Sequence, residues 1–135
     1  MIQLTIDGEP VAQGRPRFST RNGFVRAYDP QKSRSYKERV RLVAFDKIKQ
    51  RLMGPIKMTV DIYRGIPKSW SKVKQTQAEQ GYLKPTLKPD VDNYVKAIKD
   101  ALNGIAYVDD SQVVVLFISK YYSREPRVEI QIEEV

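Results

Sequence analysis

The chain has 135 residues, enough for one domain whose core needs no staples. Cysteine and histidine are both absent, which excludes disulfides, catalytic thiols, Cys/His zinc sites and Ser-His-Asp chemistry, so any metal has to be held by oxygen donors, as suits Mg²⁺, Mn²⁺ or Ca²⁺. Lys and Arg number 24 against 16 Asp and Glu, and the resulting net charge of +8 favours polyanionic partners.

In chain order, Ile2, Leu4 and Ile6 alternate with polar residues, so residues 2–7 read as a half-buried strand. The same start lacks the basic and long apolar regions of a signal peptide, and no run approaches the ~18 apolar residues of a membrane span. The expectation is a cytoplasmic protein with no membrane contact. Gly8-Glu9-Pro10 turns the chain. Residues 14–51 then hold 12 of the 24 bases against Asp29, Glu38 and Asp46, an electrostatic footprint for nucleic acid or an anionic membrane, or simply a solvated face. Within it, Asn22-Gly23 between extended, basic and aromatic stretches predicts a hairpin-like loop. Arginines beside Phe18, Phe24 and Tyr28 suit phosphate gripping with stacking, unless those rings pack inward.

Asp29-Pro30 opens a helix expected to run to about Leu52, with Tyr36, Val40, Val43, Ala44 and Ile48 as its buried stripe and Lys37, Arg41 and Lys49 exposed. Residues 56–63 read as a strand. A short exposed helix is expected within 70–80, in a long polar connection. Residues 93–103 form a second main helix on Val95, Ile98 and Leu102, with Asp92 or Asn93 as cap and Gly104 as stop. Residues 113–122 read as a largely buried strand and 127–133 as a final one. The expected fold class is α+β, a two-layer arrangement in which a mixed sheet packs against two main helices.

Lys88-Pro89-Asp90-Val91-Asp92-Asn93-Tyr94-Val95-Lys96 and Tyr107-Val108-Asp109-Asp110-Ser111-Gln112-Val113 place four acids and key lysines in two short segments of a basic protein. Carboxylates oppose polyanion binding unless a cation sits among them. If residues 90–92 are extended, Asp90 and Asp92 point to one side and reach one cation. Lys96, four residues after Asp92, shares its helix face and can hold a phosphate oxygen. Asp109 or Asp110 can return to the helix start. Such acids without histidine suit a Mg²⁺-type nuclease site. The same residues also serve plain N-capping, a turn, or pairing with Lys88 or Lys96.

Asp90-Val91-Asp92-Asn93, Lys96, Asp100-Ala101-Leu102 and Asp109-Asp110-Ser111-Gln112-Val113 resemble, in order and spacing, the motifs of the RusA family. Gly14-Arg15-Pro16-Arg17-Phe18 also resembles the family's forms from Gram-positive bacteria and phages. These are crossover junction endodeoxyribonucleases, or Holliday-junction resolvases, of bacteria and their prophages. The resemblance implies a single RusA-like nuclease domain over residues 1–135, working as a homodimer that nicks four-way junction DNA in pairs with Mg²⁺ or Mn²⁺. It implies Asp90, Asp92 and Asp110 as essential carboxylates, with Asp109 in support, and Lys96 as the essential lysine. Some members carry a dense arginine run before the first Asp, where this chain has only Lys84 and Lys88. Arg15, Arg17, Lys37, Arg41 and Lys88 are therefore the candidate DNA-backbone contacts. The rival readings are a broader flap or fork nuclease and a non-enzymatic basic DNA-binding module whose aspartates are caps and turns.

Overall fold

Alternation with period two builds a sheet with one apolar face. In the computed structural model, which describes residues 1–20 and 23–135, β1 (Ile2–Asp7) buries Leu4 and Ile6. β4 (Ile56–Gly65) buries Ile56, Met58, Val60 and Ile62, and β6 (Arg127–Glu134) buries Val128, Ile130 and Ile132 on the same side. With β5 (Val113–Ser123) the strand order is β1-β6-β4-β5. β6 pairs antiparallel with β1 and β4, whereas β4 and β5 are parallel, so the sheet is mixed. Outside it, β2 (Arg17–Ser19) and β3 (Arg26–Tyr28) form an antiparallel pair.

The parallel pair β4–β5 needs a crossover, which α2 (Lys72–Glu79) and α3 (Val91–Leu102) provide. α3 runs back against the strands. It begins where Arg64 of β4 and Lys120 of β5 reach the Leu87–Pro89 backbone, and ends beside the turn that leads into β5. α1 (Gln31–Lys47) lies beside α3, and their buried residues close one core over the apolar sheet face. The other face carries Lys57, Thr59, Asp61, Glu129 and Gln131. This is the expected α+β arrangement of a mixed sheet under two main helices, with α2 as the short exposed helix.

Three boundaries differ from expectation. α1 ends at Lys47, because Ile48 leaves the helix in extended conformation to enter the core, and Leu52 instead bonds to the Ala106 carbonyl. Helical spacing alone cannot tell a buried final turn from a buried extended residue. α3 begins two residues earlier than expected, with Asp90 at the N-cap position. β5 is not largely buried: Val114 is 60% and Phe117 57% exposed, because β5 is an edge strand. A continuous apolar run resembles an interior parallel strand and says nothing about its place in the sheet.

Candidate active site

The cis Lys88-Pro89 bond leads into α3, and its surroundings are set by residues distant in sequence. Arg64 donates to the Leu87 and Lys88 carbonyls at 3.4 and 3.3 Å, and Lys120 Nζ donates to Leu87 and Pro89 at 3.1 Å each. Two cations thus brace the segment just before Asp90. The sequence offered no sign of either, since only the parallel register of β4 and β5 brings them together. From the other side, the Gln13 backbone N–H donates to the Asn93 carbonyl at 2.9 Å. Between these walls lies a groove of about 510 Å³ lined by Gln13, Arg17, Arg64, Pro89, Asn93 and Tyr94.

Asp90 is extended and Asp92 already stands in the first turn of α3, so the two do not share one extended segment as the motif suggested. Neither Asp92 nor Asn93 is the cap, and the Asp90 carboxylate makes no capping bond to the helix. The first N–H groups of α3 are therefore left without a side-chain acceptor. Asp90, Asp92 and Lys96 are all exposed. Among the described residues there is no ion pair between Asp92 and Lys96.

The second motif forms a 3₁₀ turn, Asp110–Gln112, at the far end of α3. The Asp109 carboxylate accepts from the Ser111 N–H at 3.1 Å, and hydrogen bonding from the Ser111 side chain first, then from its backbone N–H, holds the Asp109 pKa below the usual carboxylate value. Gln112 accepts from the Val108 and Asp109 N–H groups and donates to the Leu52 and Gly54 carbonyls. Asp109 therefore builds the turn, while the Asp110 side chain has no hydrogen-bond partner among the described residues. Tyr107 donates to the Lys99 carbonyl at 2.8 Å. Burial pushes its phenol pKa up, and Asp110, Asp100 and Asp109 nearby add to the shift. That places the acid pair beside the last turns of α3, with Asp90, Asp92 and Lys96 on the first turns.

The donor chemistry fits a hard divalent cation: free carboxylates with no histidine or cysteine in the chain. Among the described residues, however, no group of three or more acidic side chains is close enough to hold a metal. The expected convergence of Asp90, Asp92 and Asp110 is thus not formed within one chain as it stands.

Of the candidate DNA contacts, Arg15, Arg17, Arg41 and Lys88 are exposed. Lys37, expected on the exposed face of α1, is turned inward with its side chain 15% exposed, 2.7 Å from Asp29 and 3.4 Å from Asp100. Helical position gave its direction, but not the acids on β3's exit and on α3 that capture it. Phe18, Phe24 and Tyr28 are exposed rather than packed inward, beside Arg17 and Arg26. The Asn22 half of the expected Asn-Gly turn, with Arg21, lies outside the described residues; Gly23 has a positive φ of 74°.

The family model described as "Endodeoxyribonuclease RusA" matches residues 7–133. The chain is 57% identical to an uncharacterized protein, YqaN, of Bacillus subtilis (strain 168), over 99% of this chain and 96% of that protein. It is 28% identical to the crossover junction endodeoxyribonuclease rusA of Lactococcus phage r1t, over 99% of this chain and 97% of the phage protein.

Proposed function

The chain belongs to the RusA endodeoxyribonuclease family, and on that footing we propose that it is a metal-dependent endonuclease that resolves four-way DNA junctions by paired phosphodiester hydrolysis in recombination and repair. The observation that carries the reading is the start of α3, where Asp90, Asp92 and Lys96 are exposed and, among the described residues, form no ion pair, beside a groove lined by Arg17 and Arg64. In this reading the protein is a single nuclease domain that works as a cytoplasmic homodimer, of the kind carried by prophages.

Asp90, Asp92 and Asp110, with Asp109 holding its turn, would bind Mg²⁺, or Mn²⁺ in its place. The bound ion would supply Lewis acidity toward the phosphodiester and an acidified water. The rest is done by the chain. The uncapped N–H groups of α3 and its dipole attract a phosphate to the helix start. The Lys96 ammonium, one turn after Asp92, holds a non-bridging oxygen and balances the charge that grows in the transition state. Arg15, Arg17, Arg41 and Lys88 neutralise the DNA backbone on either side. The exposed rings of Phe18 and Phe24 offer stacking surfaces where bases are unpaired.

Asp90→Asn, Asp92→Asn and Asp110→Asn are each expected to abolish nicking of a four-way junction while junction affinity is kept or slightly raised, since each removes a negative charge near phosphate. Cleavage assays and gel shifts on the three variants check this. Near-normal cleavage by all three would remove these carboxylates from the site.

A further inference from the structure

The role proposed for Asp90 demands a fixed carboxylate, yet its immediate surroundings do little to fix it. The carboxylate makes no capping bond to α3, and no residue from Thr86 to Asn93 is buried. Packing therefore does not hold the approach to the helix. Nor does the main chain: among the described residues, residues 83–89 make no backbone–backbone hydrogen bond. Pro85 and Pro89 have no N–H to donate.

The segment is held instead by two side chains of the sheet. In the parallel register of β4 and β5, Lys120 stands beside Ile62, and Arg64 beside Tyr122. Ile62 is buried on the helix-covered face, so Lys120, paired with it, and Arg64, two residues further on, project to that same face. Both converge on the Leu87 carbonyl, Arg64 at 3.4 Å and Lys120 at 3.1 Å. Arg64 also donates to the Lys88 carbonyl at 3.3 Å, and Lys120 to that of Pro89 at 3.1 Å. The three carbonyls directly before Asp90 are thus all taken by charged donors, whose hydrogen bonds are the strong kind. Among the described residues neither cation pairs with a carboxylate, so their donors are given to the main chain.

We infer that Lys120 and Arg64 are positioning residues for the metal site: by fixing the last three carbonyls before α3, they fix where the Asp90 carboxylate stands relative to Asp92. Mg²⁺ demands near-octahedral geometry at about 2.1 Å, so a ligand on a loose segment binds it weakly. Groups that orient a ligand without touching the ion commonly change metal affinity or activity by about 10- to 100-fold. The charge of the two side chains acts in the opposite sense, because cations beside the helix start repel a divalent ion. Removing Lys120 therefore separates the two effects: lost positioning weakens metal binding, whereas lost repulsion tightens it. The inference rests on the nuclease reading above and adds the residues that set the affinity of its metal site.

The test compares wild type with Lys120→Met, Lys120→Arg and Arg64→Gln. Mn²⁺ binding is followed by electron paramagnetic resonance, alone and with a four-way junction carrying uncleavable linkages at the crossover. Single-turnover nicking of an ordinary junction is followed over a range of Mg²⁺. Lys120→Met should weaken Mn²⁺ binding about 10-fold and raise the Mg²⁺ needed for half-maximal nicking by a similar factor. Saturating Mg²⁺ should restore most of the rate, and metal-free junction affinity should change by less than about 3-fold. Lys120→Arg, which keeps donors for the same carbonyls, should recover much of the loss. Arg64→Gln removes the other brace and should weaken Mn²⁺ binding in the same sense, which keeps the question measurable if Lys120→Met does not fold. Unchanged or tighter Mn²⁺ binding by the folded variants, beside a wild type that binds and nicks, would overturn the positioning role and leave the nuclease reading intact. So would a loss of junction affinity with the metal dependence unmoved. A wild-type protein that neither nicks nor binds Mn²⁺ would instead sink the nuclease reading, and this inference with it.

Discussion

Lys96 shows how much can rest on one side chain. It lies one helical turn after Asp92, yet the two form no ion pair. An exposed Asp–Lys pair contributes well under ~1 kcal/mol, so a purely structural lysine here would be nearly silent on removal. A lysine that balances transition-state charge is not silent, because its interaction is strongest when the bond breaks. Lys96→Ala should therefore cut the single-turnover cleavage rate by about 100-fold or more with junction affinity nearly unchanged. Lys96→Arg should recover only part of it, since a planar guanidinium does not replace a compact ammonium. Single-turnover rates and affinities of the two variants decide this; an alanine variant that cuts at the wild-type rate removes Lys96 from the mechanism. At this scale the sequence was informative for Asp92 and Lys96, whose helical spacing fixes their shared face. It was silent on the division of labour between Asp109 and Asp110, which depends on the backbone of the 3₁₀ turn.

Between elements, the Lys37 latch joins α1, the exit of the β2–β3 hairpin and α3. Its ammonium bridges Asp29 and Asp100, and Gln13 donates to Asp29 at 3.0 Å. The Lys37 hydrogen bond holds the Asp29 pKa below the usual carboxylate value, with partial burial opposing it. A carboxyl whose pKa is lowered on folding stabilises the fold fully above its unfolded pKa, near 4, and loses that contribution as pH falls through the folded value. Asp29→Asn should thus cost about 1 kcal/mol at neutral pH, and the difference from wild type should shrink below about pH 4. Lys37→Ala should cost more at neutral pH, because it leaves two carboxylates without their cation. Urea unfolding at pH 7 and pH 3 checks both; an Asp29→Asn deficit that persists unchanged at pH 3 would rule the latch out. The elements themselves were largely legible. Alternation gave β1, β4 and β6, and the apolar stripe gave α3. What escaped was tertiary: the early end of α1, forced by Ile48, and the edge position of β5, which no periodicity encodes.

On the scale of the molecule, α1 lies along α3, and Arg17 of the basic hairpin lines the groove at the start of α3. The bases of residues 14–51 read as a nucleic-acid footprint, and most of the candidate contacts among them are exposed; only Lys37 was drawn into the fold. The motif residues were visible in the sequence, but their separation along α3 was not, because spacing along a chain does not reveal which end of a crossover helix each segment meets. The central claim is a junction-selective, metal-dependent nuclease. It is tested most directly by incubating the purified protein with an end-labelled four-way junction and with a linear duplex of matching sequence, in Mg²⁺ and after chelation. The account predicts paired, symmetric nicks in the junction, little cutting of the duplex, and none in either once the metal is removed. Equal cutting of junction and duplex, or cutting that survives chelation, would contradict it.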